Sequence, residues 1–452
     1  MGTGVSGQGE IEAVAVLSNY GNRNLGDEAT LAAILQQVRE RCEGARLFAI
    51  SFDPQDTEVR HGVIALPAQR LPRRVAEGAG GQTSHAVGET SRRVTAGSQR
   101  LKARLRAAPV VAPLWRGLRG LWQGVRELAA EALFIARTVK VLRAIDCLVV
   151  GGGGQLSDDF GGTWAFPYLV LKWAAMARLA GARVLFVSVG AGPLDSGLAR
   201  FFVRIALRLG EYRSFRDEGS RALIATLGVA GTVHADPAWV LPVEKAGVGS
   251  RPAEAPLVVG INPFPYEDGR YWPGGKRARY EAYLDTLAEF AEWLLERGHS
   301  ILLFPTQLRS DPRVIVDLKA RLSDRLRGLP GRVIERTVET VDDLVATIST
   351  VDLVVSGRFH GILLSFLLRK PVVGLSYQSK IDELMRRADQ DAYLLSTADL
   401  NTRALVERFE RLESERAGIE ARLAEEARRC RRTLELQFDT LFAPKGSGAR
   451  PT

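Results

Sequence analysis

Short apolar runs end in glycine-rich or polar tips and then give way to helical patterns, again and again along this 452-residue chain. That alternation constrains the fold more than any other feature. Ile11 to Ser18 is the first such run, followed by Gly21 to Glu28 and a helical pattern over Ala29 to Val38. Phe48 to Ser51 and Gly62 to Leu66 read as two further strands. Cys147 to Val150 ends in four glycines, Gly151 to Gly154, before a helix over about Phe166 to Ala180. Arg183 to Val189 ends in Gly190-Ala191-Gly192-Pro193. A helix (Leu198 to Leu209), a strand (Tyr212 to Phe215) and a helix opened by Asp217 and Glu218 follow. Strands alternating with helices of this length mean βαβ units and a parallel sheet.

A second series starts at Leu257 to Asn262. It continues through a helix (Tyr280 to Arg297), a strand (Ser300 to Pro305), a helix (Asp311 to Leu322), a short strand (Arg332 to Glu335) and a helix (Val341 to Thr350). The run Val351 to Val355, the segment Ser356 to Gly361, the apolar stretch Ile362 to Leu368 and a strand over Pro371 to Leu375 complete it. The Pro- and Gly-containing stretch Pro242 to Pro256 reads as a linker. The expected fold class is therefore α/β and GT-B-like, with two Rossmann-like domains whose parallel sheets face a central cleft. The expected domains are 1–245, with an insertion at about 68–143, and 256–400. C-terminal helices over 401–442 and a disordered tail at 443–452 close the chain. At this length one ordinary core is not enough, which agrees with two domains.

The net charge of +9 is concentrated. Between Ala68 and Arg143 there are fifteen Lys and Arg against four Asp and Glu, which leaves a net charge of −2 for the rest. Gly78 to Ser98 reads as a flexible loop. After it, Leu101, Leu105, Leu114, Trp115, Leu118, Leu121 and Trp122 interleave with Arg104, Arg106, Arg116 and Arg119, as in basic amphipathic helices. Two readings stand: an insertion packed on the body with a solvated basic face, or peripheral contact with an anionic membrane. No nucleic-acid module surrounds the segment, so nucleic acid is not an expected partner.

Cys42, Cys147 and Cys430 lie far apart, without the spacing of a disulfide framework or a metal site, and five histidines include no H-x-x-x-H pair. A reducing compartment and no metal are expected. The start M-G-T-G-V-S-G-Q-G-E has no basic stretch followed by an apolar one. It fits the loose myristoylation pattern only as many Gly-rich starts do. No uncharged apolar run approaches the roughly 20 residues that span a bilayer. The expected location is cytoplasmic, with peripheral attachment at the inner face of the membrane as a second reading.

Chemistry concentrates at the strand tips. In Ser356-Gly357-Arg358-Phe359-His360-Gly361 a strand end meets a helix start, where backbone N–H groups point at a ligand. Arg358 adds a permanent cation and His360 a titratable one, so the segment reads as an anion site. Arg216 sits at another strand tip, either as a cleft-facing cation or in a salt bridge with Asp217 or Glu218. Asp27 is either part of a capped turn or a carboxylate over the cleft, available as a base. Asn22 and Gly26 lie beside it. Gly152, Gly153, Gly154 and Gln155, and Gly190 and Gly192, allow a ligand or a neighbouring backbone to lie directly on the chain. Asp236, before a proline, reads equally well as structural. Lys380 is either solvated or one more cation. The glycine spacing matches neither a P-loop nor a dinucleotide fingerprint.

Together these segments resemble the polysaccharide pyruvyl transferase family. The resemblance rests on G-N-R-N-L-G-D-E-A (Gly21 to Ala29), G-G-G-G-Q-L-S-D (Gly151 to Asp158), V-G-A-G-P-L (Val189 to Leu194), S-F-R-D-E-G-S (Ser214 to Ser220), A-D-P-A (Ala235 to Ala238) and S-G-R-F-H-G (Ser356 to Gly361), in the family's order. It implies a GT-B-like fold and transfer of pyruvate from phosphoenolpyruvate to a sugar of a cell-surface polysaccharide or its lipid-linked precursor, as a ketal. It also implies donor binding by Arg216, Arg358 and His360. Phosphoenolpyruvate would be a co-substrate, with no cofactor required. The residues suit that donor independently: about three negative charges call for Arg forks and an imidazolium. Two other readings are a glycosyltransferase using a nucleotide sugar and a non-catalytic polysaccharide-assembly protein.

Overall fold

The first strand, β1 (Ala13–Leu17, AVAVL), is buried at every position. A strand apolar on both faces needs helices on both sides, as in a parallel α/β sheet. In a computed structural model of the chain, which describes residues 11–70, 111–159, 161–243, 256–272, 274–323 and 332–442, β1 lies mid-sheet. It is joined by β2 (Arg46–Ser51), β3 (Ile64–Pro67), β4 (Cys147–Gly151), β5 (Arg183–Val189), β6 (Tyr212–Phe215) and β7 (Thr232–Val233) in the order β3-β2-β1-β4-β5-β6-β7. The second sheet has β8 (Val258–Asn262), β9 (Ser300–Leu303), β10 (Val333–Ile334), β11 (Leu353–Ser356), β12 (Val372–Ser376) and β13 (Leu394–Ser396), ordered β10-β9-β8-β11-β12-β13. Every pairing is parallel.

Each sheet reverses its winding once. In the first, β1 pairs with β4, Leu17 opposite Val150. In the second, β8 pairs with β11, Asn262 opposite Ser356. Open α/β sheets bind ligands beyond the strand ends at such switch points. The chemistry-bearing segments read from the sequence flank both of them.

The helices are α1 (Leu25–Arg41), α2 (Pro54–His61), α3 (Val111–Leu142), α4 (Phe166–Ala180), α5 (Gly197–Leu209), α6 (Glu218–Ala225), α7 (Arg277–Glu296), α8 (Asp311–Ser323), α9 (Val341–Ser349), α10 (Phe359–Leu367), α11 (Ser379–Arg387), α12 (Thr402–Ser414) and α13 (Arg416–Phe442). Two start earlier than the sequence pattern indicated. Helix α1 begins at Leu25, because the Asn24 side chain caps it by accepting from Gly26 N. Helix α10 begins at Phe359, so His360 lies in its first turn. Asp27 and His360 are thus both first-turn helical residues, not loop residues.

The two sheets belong to one compact unit, made of the chain up to Ala68 and from Ile145 onward. Helix α13 ties them together. Its Ile419, Leu423, Cys430 and Leu434 join the core around the second sheet, and Phe438, Leu441 and Phe442 join the core of the first. Residues 69–144 form a second unit. There α3 is one continuous 32-residue helix, with Trp122, Val125, Leu128 and Leu133 exposed. The flexible loop read over Gly78 to Ser98, most of the linker and the tail at 443–452 lie outside the described residues. All three cysteines are buried and unpaired. No described helix is long and apolar enough to cross a membrane.

Candidate active site

The N-terminus of α1 meets the second sheet directly. Leu25 N donates to Thr306 O at 2.9 Å, and Leu308 N donates to Arg23 O at 2.9 Å. Gly26 lies against the imidazole of His360. A Cβ there would fall 2.1 Å from Nδ1, so this position accepts only glycine while the ring stays in place.

His360 faces a buried cluster on the first half. Its Nε2 is 3.3 Å from Thr30 Oγ1 and 3.8 Å from Asp236 Oδ2. Thr30 Oγ1 is also 3.1 Å from Gly26 O and 3.2 Å from Asp236 Oδ1. Ala238 N donates to that same Oδ1 at 3.0 Å, so Asp236 caps the short 3-10 helix Pro237–Val240. Arg216 comes in from the tip of β6, with Nη1 3.6 Å from Asp236 Oδ2. Arg216 and His360 therefore converge on one carboxylate. Both separations are too long for hydrogen bonds, and Oδ2 has no hydrogen-bond partner among the described residues.

The electrostatics of the two buried carboxylates differ. Burial alone would raise the Asp236 carboxyl, but the imidazole, the Arg216 guanidinium and the Ala238 N–H outweigh it and hold it at about 2. Asp27 is pushed up to about 6, chiefly by burial. The nearby His360 and a 3.0 Å hydrogen bond from Asn19 Nδ2 only partly offset that. Asp236 is thus a permanent anion, and Asp27 is poised to exchange a proton near neutrality.

Arg216 is otherwise lightly held. Its guanidinium stacks 4.2 Å over the Phe359 ring, and Nε reaches Asp217 Oδ2 only at 3.5 Å. Asp217 spends its other oxygen capping α6, accepting from Ser220 N at 2.7 Å. A cavity of about 420 Å³ opens beside Arg216, lined also by Asp236, Phe359, Lys380 and Arg387. Lys380 forms no ion pair with a described residue, whereas Arg387 pairs with Glu426.

Arg358 does not join this group. Its guanidinium pairs with the fully buried Asp311, and Nη2 donates to Ser310 Oγ at 3.0 Å. Asp311 in turn accepts from Thr306 N at 3.0 Å and Gln307 N at 2.8 Å. Since Thr306 O is the acceptor for Leu25 N, the Arg358–Asp311 pair anchors the loop that seats α1. Arg358 Nε is buried without a hydrogen-bond partner. Ser356 Oγ donates to Asn262 Oδ1 at 2.9 Å, and Arg358 N donates to Ser356 Oγ at 3.1 Å, fixing the start of α10. Gly357 is packed on the Phe264 ring.

The glycine-rich tips serve packing more than an open floor. Gly152 and Gly153 have φ of +59° and +64°, and a Cβ on Gly152 would meet the Thr30 methyl at 2.2 Å. These residues let β4 press against α1. Gly190 lies on Gly153 O and the Arg216 guanidinium, and Gly192 on Ser157. Gly154 alone faces open space. Gln155 braces the tip from within by donating to Gly152 O at 3.0 Å, leaving Oε1 unpartnered. Asn22 donates to Asn19 at the rim.

Thr30, Asp236, Phe359, Ser310 and Asp311 are site residues that the sequence reading did not select. For Asp236 the signal was there: a carboxylate before proline between two elements of the first half. Its partners Thr30 and His360 lie 206 and 124 positions away from it along the chain, which sequence spacing cannot disclose.

Comparison with known proteins adds an independent finding. The profile of the polysaccharide pyruvyl transferase family matches residues 24–379. No curated protein matches the sequence. Among solved structures, UDP-GlcNAc 2-epimerase from Neisseria meningitidis bound to UDP-GlcNAc is similar, at 12% identity and a TM-score of 0.51 over 93% of this chain and 99% of that one. Anabaena HepE in complex with UDP and glucose is similar at 12% identity and a TM-score of 0.51, covering 95% and 100%. A glycosyltransferase from Rickettsia africae gives 9% identity and a TM-score of 0.54, covering 97% and 100%. At these identities the likeness is one of fold, the GT-B arrangement of two parallel sheets.

Proposed function

Since this chain belongs to the polysaccharide pyruvyl transferase family, we propose that it transfers the pyruvyl group of phosphoenolpyruvate to two hydroxyls of one sugar, forming a ketal. The observation that carries this reading is the convergence of Arg216 and His360 on Asp236, beside a cavity of about 420 Å³ that Lys380 also lines. The donor is small and about threefold negative. Arg216 can turn its fork from the long Asp236 and Asp217 contacts to a carboxylate or phosphate. Lys380 supplies a second cation. Arg358 joins them if Asp311 releases one of its N–H groups.

The chemistry needs a proton on C3 of the donor, which makes C2 electrophilic. A sugar hydroxyl then adds to C2, inorganic phosphate leaves with its oxygen, and a second hydroxyl closes the ring. Of the two hydroxyl protons released, one balances the proton gained at C3 and the other goes to phosphate. His360, beside a permanently ionised Asp236, is placed to hold a proton and either donate it or neutralise the leaving phosphate. Asp27, with its carboxyl near 6, is the candidate to take a hydroxyl proton. The acceptor belongs to a cell-surface polysaccharide or its lipid-linked precursor in this reading. The basic residues 68–143, with exposed Trp122, Val125, Leu128 and Leu133 on α3, are proposed to touch an anionic membrane at its inner face.

Transfer from a nucleotide sugar is the second reading, prompted by proteins of similar fold that hold UDP-GlcNAc or UDP and glucose. Incubation with phosphoenolpyruvate and nitrophenyl or lipid-linked sugars, read by mass spectrometry, tests the first. A pyruvyl adduct dependent on His360 is expected. A glycosyl adduct formed only with a UDP-sugar would replace it with the second.

A further inference from the structure

Helix α5 exposes a face that the core does not require. Its sequence, GLARFFVRIALRL, contains three arginines and no acid. Ala199, Val203, Ala206 and Leu207 point inward and are buried. The opposite stripe, at helical spacing, is Gly197, Phe201, Arg204 and Arg208, and all four are exposed. Phe201 is 55% exposed and the neighbouring Leu198 44%. Just before α4, Trp164 is 67% exposed. Its ring packs edge-on against Phe202 at 5.5 Å, and Phe202 lies 6.3 Å from Phe201. One continuous strip therefore runs from Trp164 through Phe202 and Phe201 to Arg204 and Arg208. Neither of those arginines forms an ion pair with a described residue. Single exposed apolar residues are ordinary on a folded protein, but a contiguous patch marks an interaction surface, here with Arg204 and Arg208 at one end and the carboxylates Asp158, Asp159 and Asp195 near the start of α5 at the other.

The patch is tied to the candidate site. The Asp158 carboxylate accepts from Ser196 N at 2.9 Å and Asp195 N at 3.2 Å, and Ser196 caps α5. Leu156 forms a bridge with Ala191, Gly192 rests on Ser157, and Gly190 rests on Arg216. The apolar end of α5 is thus fixed to the same strand tips that hold Arg216.

We propose that this face seats the protein on an anionic lipid bilayer. Trp164, Phe201 and Leu198 enter the headgroup layer while Arg204 and Arg208 meet lipid phosphates. Aromatic and basic residues on one helix face are the composition that such an interface selects. A second copy of the chain fits worse, because a two-fold contact through this stripe would set arginines against arginines. The surface is made of residues of the unit carrying the sheets. The inference does not rest on the identity of the donor. It brings the cleft mouth to the bilayer, within reach of an acceptor carried on a lipid.

The test is co-sedimentation of the full chain with vesicles of phosphatidylcholine alone and with added phosphatidylglycerol. The wild-type protein is expected to bind the anionic vesicles, more weakly as salt rises. Arg204→Glu combined with Arg208→Glu should lower the partition coefficient at least about tenfold. Phe201→Ser, which leaves charge unchanged, should lower it about fivefold or more. Thermal unfolding midpoints should stay near wild type, and phosphoenolpyruvate binding by calorimetry should match wild type, so this inference and the donor assignment fail separately. Undiminished vesicle binding in these variants would overturn the proposal, as would absence of binding by the wild type. Sedimentation velocity showing a dimer that Phe201→Ser disrupts, without vesicle binding, would assign the face to a second copy instead.

Discussion

The two faces of the cleft carry one key arginine each and treat it differently. On the first half, Arg216 is held by contacts of 3.5–3.6 Å and by the Phe359 ring. On the second, Arg358 is locked to a carboxylate with no solvent exposure. A guanidinium without short hydrogen bonds keeps its donors for a ligand. One paired to a buried acid also holds up structure, because removing either partner leaves an uncompensated charge. The first face leaves its arginine free for the proposed donor, and the second uses its arginine to keep α1 seated against the second sheet.

The sharpest way to break this contrast is through stability. Asp311→Ala should lose about 3 kcal/mol, since it strands Arg358 and frees Thr306 N and Gln307 N. Arg216→Ala should lose distinctly less, as Asp236 retains His360, Thr30 and Ala238. Urea unfolding of both variants checks this, and equal losses would erase the distinction between the faces.

Activity should sort the residues in another way. His360→Ala and Arg358→Ala are each expected to lower turnover about 100-fold or more, the size associated with losing a charge-stabilising group. Arg216→Ala should match them in turnover while sparing the fold. Wild-type-like rates in any of the three would remove that residue from the site. Asp236→Asn should cost about tenfold or more in turnover, because the carboxylate on which His360 and Arg216 converge is lost. Unchanged turnover with reduced stability would make Asp236 purely structural.

The effect confined to one pH range concerns Asp27. Its carboxyl rises from 3.8 to about 6 on folding. The protonated group therefore favours the folded state fully below about pH 4, and this contribution is lost as the pH rises through about 6. Asp27→Asn should accordingly stabilise the protein by about 1–3 kcal/mol at pH 8 and by nothing measurable at pH 4, while turnover falls. A loss of stability at pH 8 would contradict its placement as a buried, costly carboxylate.

Much of this arrangement could be read from the chain, for identifiable reasons. Arg183–Val189, Tyr212–Phe215 and Phe166–Ala180 follow apolar patterns with glycine or polar boundaries, and their limits came out at the residues expected. Helix α2 was missed because of Pro54–His61 only Thr57 is buried, leaving no apolar periodicity to detect. The early starts of α1 and α10 were missed because Gly26 and Gly361 are weak helix formers. Both are there for close approach, to the His360 ring and to Asn262 Oδ1. The four glycines at Gly151 to Gly154 drew attention as a ligand cradle, yet the first three fit β4 against α1 and the Ser18 hydroxyl. Strand tips and charge types are local properties of a sequence. The pairing of Arg358 with Asp311, and not with the Arg216 cluster, is a property of how two sheets face each other, which no spacing encodes.

The most direct measurement is isothermal titration of the wild-type protein and of Arg216→Ala with phosphoenolpyruvate, set beside UDP. Saturable phosphoenolpyruvate binding in the wild type, weakened at least about tenfold in Arg216→Ala, with no binding of UDP, is the expected result. Tight UDP binding with none of phosphoenolpyruvate would contradict the proposed donor.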